Sequence, residues 1–406
     1  MKATKRPDVV ILHQHFRWAE AGGPARTHHL AAGMISQGLR VVVVSGPDGA
    51  SDRDLADPIR VIRVGVPYRA SMGFWSRIYS FILYVLAAWW TTIWLRPRLI
   101  YASSTPLTVG LVALCTFRPF IFEVRDLWPQ APIELKALQN PILIRLAHGL
   151  ANLSYRYAKA VVVLSPPMEE VVLSYNKRVV VVPNFAVPYS RIQLEQAIQV
   201  RNQSVHDRIS QGHDKPYILF YGGAVGPANG IPKLLEISRQ LSNTPDCRWQ
   251  LVLAPEPGRP LSSALQEAIK SGKILLLDYL DQASLQAYLR TVNAMLVSFD
   301  DYPSLETTSP NKFFLGLSVG LPIVMACRGW HTDLVVASGA GYWFQPSNFE
   351  AAGGQAANQN LVHYLKALED PICNATNSQA AWELSQSFST EKAQLAINHL
   401  ILDVLG

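Results

Sequence analysis

Short runs rich in Val, Ile and Leu recur along the chain, separated by longer stretches of mixed polarity. Bounded by turn residues, such runs predict buried strands, and the stretches between them predict helices. In the first half the strands fall at 8–15 (DVVILHQH), 41–46 (VVVVSG), 60–66, 100–103, 119–124 (PFIFEV), 160–165 (AVVVLS) and 179–183 (VVVVP), with a helix at 107–117. Between the first two runs, Gly22 and Gly23 let the backbone turn sharply and approach a ligand closely. Pro24 then suits the first turn of a helix that Gly38 ends. Strand, glycine loop, helix, strand is the opening of a doubly wound sheet. The GxGxxG spacing is missing, so no dinucleotide fingerprint is present. Residues 189–216 are polar, mixed in charge and carry no strand, which predicts a linker that could be partly helical. A second set of strands starts at 217–223 (YILFYGG) and continues at 249–254, 274–277, 294–298, 322–325 and 337–343, with helices at 232–241, 261–270 and 284–290. The tail, 378–405, is helical. The expected domains are 1–190, a linker at 191–215, 216–375, and a helical segment at 376–406.

Three stretches change this outline. Residues 78–95 run 18 residues without a charge, the short limit of a membrane span. The run is crowded with Trp and Tyr, which favour interfaces, and sits inside a sheet pattern, so it predicts a buried or interfacial helix. Residues 309–325, SPNKFFLGLSVGLPIVM, predict a loop, an apolar helix, a Gly-Leu-Pro turn and a strand. Ser309, Pro310 and Asn311 suit a helix start, whose free amides would seat a phosphate beside Lys312. An ordinary loop–helix–strand piece is the competing reading. Arg125 and Asp126 follow the 119–124 strand, where open α/β sheets bind ligands. Asp126 could accept a proton or a sugar hydroxyl, or it could simply pair with Arg125.

Composition confirms a globular chain long enough for two or three domains. The 406 residues are 49% hydrophobic and 16% charged, with net charge +6. Residues 1–200 hold 22 Lys/Arg against 12 Asp/Glu, and the remainder 14 against 18. This asymmetry suggests different partners for the two halves; the basic one could meet anionic lipid or nucleic acid, or its charge could serve solubility alone. Nucleic acid has only diffuse charge in its favour and is not expected. The four cysteines are scattered without metal-ligand or CxxC spacing, so free thiols and no metal site are expected.

The strings HQHFRWAEAGGPARTHHLA, YASSTPLTVGLVAL, FEVRDLWPQAPIEL, VVVLSPPM, VVPNF, YGGAVGPANGI and SPNKFFLGLSVGLPIV, in this order, closely resemble the family 4 glycosyltransferases. The nearest branch is the bacterial transferases of acetamido sugars such as N-acetylfucosamine. The resemblance spans nearly the whole chain; VRDLWP and SPNKFF are its more specific strings. It implies an α/β, GT-B-like fold of two Rossmann-like domains facing a cleft, with the C-terminal helix returning to the first. It implies a retaining transfer from a nucleotide-sugar, UDP-linked, to a glycan or polyprenyl-linked acceptor at the cytoplasmic face of the inner membrane. No cofactor or metal is expected, because the nucleotide-sugar is a substrate. Asp126, Arg125 and Lys312 fall at catalytic positions. Gly22, Gly23, Gly222, Gly223, Glu306, Ser309, Pro310 and Asn311 fall at donor positions, and His13 or His15 could add a hydrogen bond.

Three positions depart from the family pattern. Leu315 stands where an acid usually holds the ribose. Thr307, next to Glu306, replaces a second acid, and Asn229 replaces a diphosphate-clamping Lys. The alternatives are therefore a degenerate, non-catalytic GT-B scaffold or sugar-nucleotide sensor, or a sugar-nucleotide epimerase.

Overall fold

The computed structural model describes residues 6–19, 25–47, 58–66, 74–256, 260–345 and 361–406. The chain divides into two compact units. The first comprises Met1–Asn184, Thr307–Ser309 and Thr390–Gly406, and the second Phe185–Glu306 and Pro310–Ser389.

The first unit holds a seven-stranded parallel sheet of β1 (Val9–Leu12), β2 (Val41–Ser45), β3 (Arg60–Arg63), β4 (Leu99–Ser103), β5 (Phe120–Val124), β6 (Ala160–Val163) and β7 (Val179–Val181). Their order is β3-β2-β1-β4-β5-β6-β7. The Val-rich runs are buried on both faces, as helices on both sides of a parallel sheet require. Strand order reverses between β1 and β4, so a crevice opens at their carboxyl ends. The chain's last helix, Thr390–Leu405, packs in this unit. Gln394 donates to the His29 carbonyl at 2.7 Å and Asn398 to that of Gly33 at 3.1 Å. A Cβ on Gly33 would come within 2.7 Å of the Gln394 side chain, so glycine there permits the close approach.

The second unit is built on β8 (Tyr217–Gly223), β9 (Trp249–Pro255), β10 (Ile274–Leu276), β11 (Ala294–Ser298), β12 (Ile323–Ala326) and β13 (Gly341–Trp343). These strands are parallel, in the order β10-β9-β8-β11-β12-β13. Here the order reverses between β8 and β11.

Most of the segment read as a linker, 191–215, is the helix Arg191–Ser210, grouped with the second unit and started by a Ser190–Gln193 capping box. Its buried positions are Leu194, Ala197, Arg201 and Val205. An arginine at a core position disguised the helix as a polar segment. Arg201 is only 1% exposed and donates to the Val319 and Gly320 carbonyls at 2.5 and 2.7 Å. These are the carbonyls that follow the helix Asn311–Ser318, so Arg201 caps its C-terminal end. Arg201→Leu should lower stability by about 2–4 kcal/mol, since buried carbonyls would lose a charged donor. An unchanged urea midpoint would remove Arg201 from this role. The helical tail is also divided. Pro371–Ser385 packs in the second unit, and Thr390–Leu405 in the first.

Candidate active site

The expected site residues divide between the two units. Gly22 and Gly23 lie outside the described residues.

In the first unit the anchor is Glu123, a fully buried carboxylate in the middle of β5. An ionised carboxylate in an apolar strand is tolerable only if charged and hydrogen-bonding groups surround it. Arg26 Nε and Tyr101 Oη each donate to Oε1 at 2.8 Å, and Ser103 Oγ donates to Oε2 at 2.5 Å. Burial alone would push this carboxyl up. Arg26, Arg125 and the two hydroxyls outweigh it and bring it down to about 2. Arg26 also donates to the Val182 and Pro183 carbonyls at 2.9 and 2.6 Å, which fastens the end of β7 to this centre.

A chain of hydrogen bonds leads outward from Glu123. Ser103 has one proton and gives it to Glu123. Its oxygen, 3.1 Å from His13 Nδ1, must therefore accept from His13. The same N–H has Thr27 Oγ1 at 3.3 Å as a second acceptor. His13 Nε2 is left as an acceptor, facing Arg125 Nη1 at 3.5 Å. Burial, then the Arg125 charge, holds His13 well below the usual histidine range, in keeping with a neutral ring. His13 ends β1 and Ser103 ends β4, so this relay spans the crevice at the order reversal. Asp126 is partly buried beside it. Burial pushes its carboxyl up against the pull of Arg125. No ion pair joins Arg125 to Asp126 among the described residues; Arg125 turns to His13.

Ser309 does not cap the helix that follows it. Pro310 occupies the cap position and gives no side-chain bond. The Ser309 hydroxyl accepts from the Asn184 backbone N–H at 2.9 Å, and its carbonyl from the Asn184 side chain at 2.5 Å. Its place in the first unit follows from those bonds.

In the second unit, Gly222 and Gly223 end β8. Gly223 has φ of +111°, and a Cβ there would lie 4.0 Å from Lys312 Cε, so the bare backbone stands alongside the lysine. Lys312 is in the first turn of the helix Asn311–Ser318, with Asn311 exposed beside it. Its Nζ lies 3.7 Å from the centre of the Tyr221 ring and 5.6 Å from that of Phe299. The amine is enclosed and has no hydrogen-bond partner among the described residues. Aromatic faces partly offset its charge, but burial still lowers it to about 7.

The neighbouring loops are firmly tied. Gly226 N–H donates to Asn229 Oδ1 at 3.0 Å, and Asp300 N–H to the Ala228 carbonyl at 3.0 Å. At Gly230, with φ of +61°, a Cβ would meet Ser298 Oγ at 2.7 Å. Lys233 donates to Asp301 at 2.6 Å and to the Phe299 carbonyl at 3.0 Å. Glu306 ends the short helix Pro303–Glu306, and its carbonyl abuts Gly329. Leu315, the position at which the resemblance implies a ribose-binding acid, packs against the apolar core of this unit. Among the described residues no group of three or more His, Cys, Asp or Glu could hold a metal ion.

Sequence reasoning missed Glu123, Arg26, Ser103 and Tyr101, and the Tyr221 and Phe299 rings around Lys312. The one signal available was a carboxylate inside the apolar run PFIFEV.

Residues 21–184 match the family model of the glycosyl transferase 4-like domain. No curated protein matches the sequence. The sucrose-phosphate synthase of Thermosynechococcus elongatus superposes with a TM-score of 0.71 at 16% identity, over 97% of this chain and 98% of that one. Anabaena HepE, solved in complex with UDP, gives 0.64 at 16% identity, over 98% and 100%. WaaG, a glycosyltransferase involved in lipopolysaccharide biosynthesis, gives 0.65 at 11% identity, over 97% and 99%. The chain thus has the two-sheet α/β fold of GT-B glycosyltransferases, and its residues 21–184 match the glycosyl transferase 4-like domain.

Proposed function

We propose that this protein is a retaining glycosyltransferase. It moves a sugar from a nucleoside-diphosphate donor, UDP-linked, to a glycan or polyprenyl-linked acceptor in surface-polysaccharide assembly. The observation that carries the reading is Lys312, an enclosed amine at the carboxyl end of β8 without a hydrogen-bond partner among the described residues. Such a group is costly unless an anion completes it. A diphosphate would do so, reached also by amides at the start of the Lys312 helix. HepE, solved with UDP and with UDP and glucose, supports a uridine donor. The acetamido-sugar branch rests on the sequence strings.

The reaction breaks the bond between the sugar's anomeric carbon and the diphosphate oxygen. It forms one to the acceptor oxygen on the same face, and the acceptor proton passes to the departing diphosphate. The demand on the protein is charge stabilisation and positioning. Lys312 meets the first. Asp126 offers a sugar hydroxyl a hydrogen bond, and Arg125 is held ready by His13. Glu123 takes no part in proton transfer, because its oxygens are already engaged.

UDP release from a panel of UDP-sugars with lipid-linked acceptors, and product anomeric configuration by NMR, test this reading. UDP release with retained configuration is expected. An inverted product would refute the mechanism. The packing of Leu315 and the Asn229–Gly226 bond favour a second reading, a non-catalytic GT-B protein. Nucleotide binding without UDP release from any sugar would select it.

A further inference from the structure

Three helices of the first unit, Phe74–Leu95, Thr108–Cys115 and Pro141–Tyr157, pack side by side, the first against the second and the second against the third. Each turns one side to the sheet. Tyr84 and Ala88 of the first helix, Val109 and Val112 of the second, and Ala151 and Tyr155 of the third are buried in the core. Their opposite sides are apolar too, contrary to the usual polar outer face of a surface helix. Trp90 is 68% exposed, Trp94 58% and Phe117, just past the second helix, 95%. Ile142 and Leu146 of the third helix are exposed one turn apart. Beside Trp90 and Trp94 lies a recess of about 320 Å³, rimmed by Ile93 and Arg96. A patch of this kind marks a docking surface.

Charge selects the occupant. No Asp or Glu occurs between Asp57 and Glu123, nor between Glu134 and Glu169. Among the described residues, Arg145 and Arg156 of the third helix and Arg96, just past the first, are exposed. A second copy of the chain, paired symmetrically through this face, would set arginine against arginine. Exposed Trp rings with arginines alongside and no acids instead suit the headgroup layer of an anionic bilayer. Among the described residues no helix is long and apolar enough to cross a membrane.

We infer that the outer face of these three helices seats the protein on an anionic lipid surface. Trp90, Trp94 and Phe117 enter the headgroup layer, and Arg96, Arg145 and Arg156 contact lipid phosphates.

Co-sedimentation with vesicles of phosphatidylcholine, with and without phosphatidylglycerol, tests this. Binding to the anionic vesicles, weakened by salt, is expected. Trp90→Glu with Trp94→Glu should reduce it by about tenfold or more. Arg145→Glu with Arg156→Glu should abolish the preference for phosphatidylglycerol. Both variants should keep the wild-type urea midpoint, because the replaced side chains face solvent. No wild-type binding to anionic vesicles, or undiminished binding by the Trp variant, would overturn the inference. So would a wild-type dimer in light scattering that the Trp variant splits. Vesicle binding is measured without nucleotide, so its failure leaves the transferase reading untouched.

Discussion

Lys312→Met is expected to weaken binding of a nucleoside diphosphate by about ten- to a hundredfold, the scale of one hydrogen bond between charged groups. The same change should raise the stability of the unliganded protein by about 1 kcal/mol or more, because it removes a buried amine that has no hydrogen-bond partner among the described residues. Opposite signs for binding and stability separate a ligand-holding lysine from a structural one, whose loss would lower both. The pH dependence follows from the same burial. Burial lowers Lys312 to about 7, and an anion favours the protonated form. Binding therefore takes up a proton, is strongest below pH 7, and weakens as pH rises above it. Lys312→Arg keeps its charge throughout this range, so its binding should lose the pH slope. Titration calorimetry in buffers of different ionisation heat measures the proton uptake directly.

Glu123→Ala is the second large effect. It leaves Arg26 buried without its carboxylate, and the loss of one partner from such a pair costs about 3–5 kcal/mol. Glu123→Gln keeps the shape and an acceptor, and should cost less. Glu123 is held at about 2, against an ordinary value of 4.5. A carboxyl lowered on folding contributes stability that is complete above its unfolded value and is lost as pH falls toward its folded value. The wild type should therefore lose roughly 3 kcal/mol from this group between about pH 5 and pH 2. Urea titrations at neutral and acid pH would show that part of the acid sensitivity missing in Glu123→Gln. Equal acid sensitivity in the two proteins would contradict the assignment.

The strand framework was legible because a parallel sheet covered on both faces needs continuous apolar runs, and VVIL, VVVV and AVVV are such runs. β8 and β11 fall where the runs 217–223 and 294–298 place them. Periodicity failed where a charge occupies a core position. Arg201 weakened the helical pattern of Arg191–Ser210, since its partners lie more than a hundred residues away in sequence. The partners of Glu123 were hidden for the same reason: Arg26 is 97 residues distant. Lys312 was visible as a cation at a helix start. The Tyr221 and Phe299 rings that enclose it come from the ends of two other strands, and only the fold brings them together. The partner that holds Ser309 away from the helix after it, Asn184, is equally remote in sequence.

We propose that Lys312 completes a diphosphate site at the carboxyl end of the second sheet. Calorimetric titration of the full-length protein with UDP at pH 6.5 and 8.5, wild type beside Lys312→Met, tests it most directly. The expected result is binding by the wild type that is tighter at the lower pH with proton uptake, and binding by the variant that is weaker and pH-insensitive. Equal affinity in the two proteins, or no UDP binding by the wild type at either pH, would contradict it.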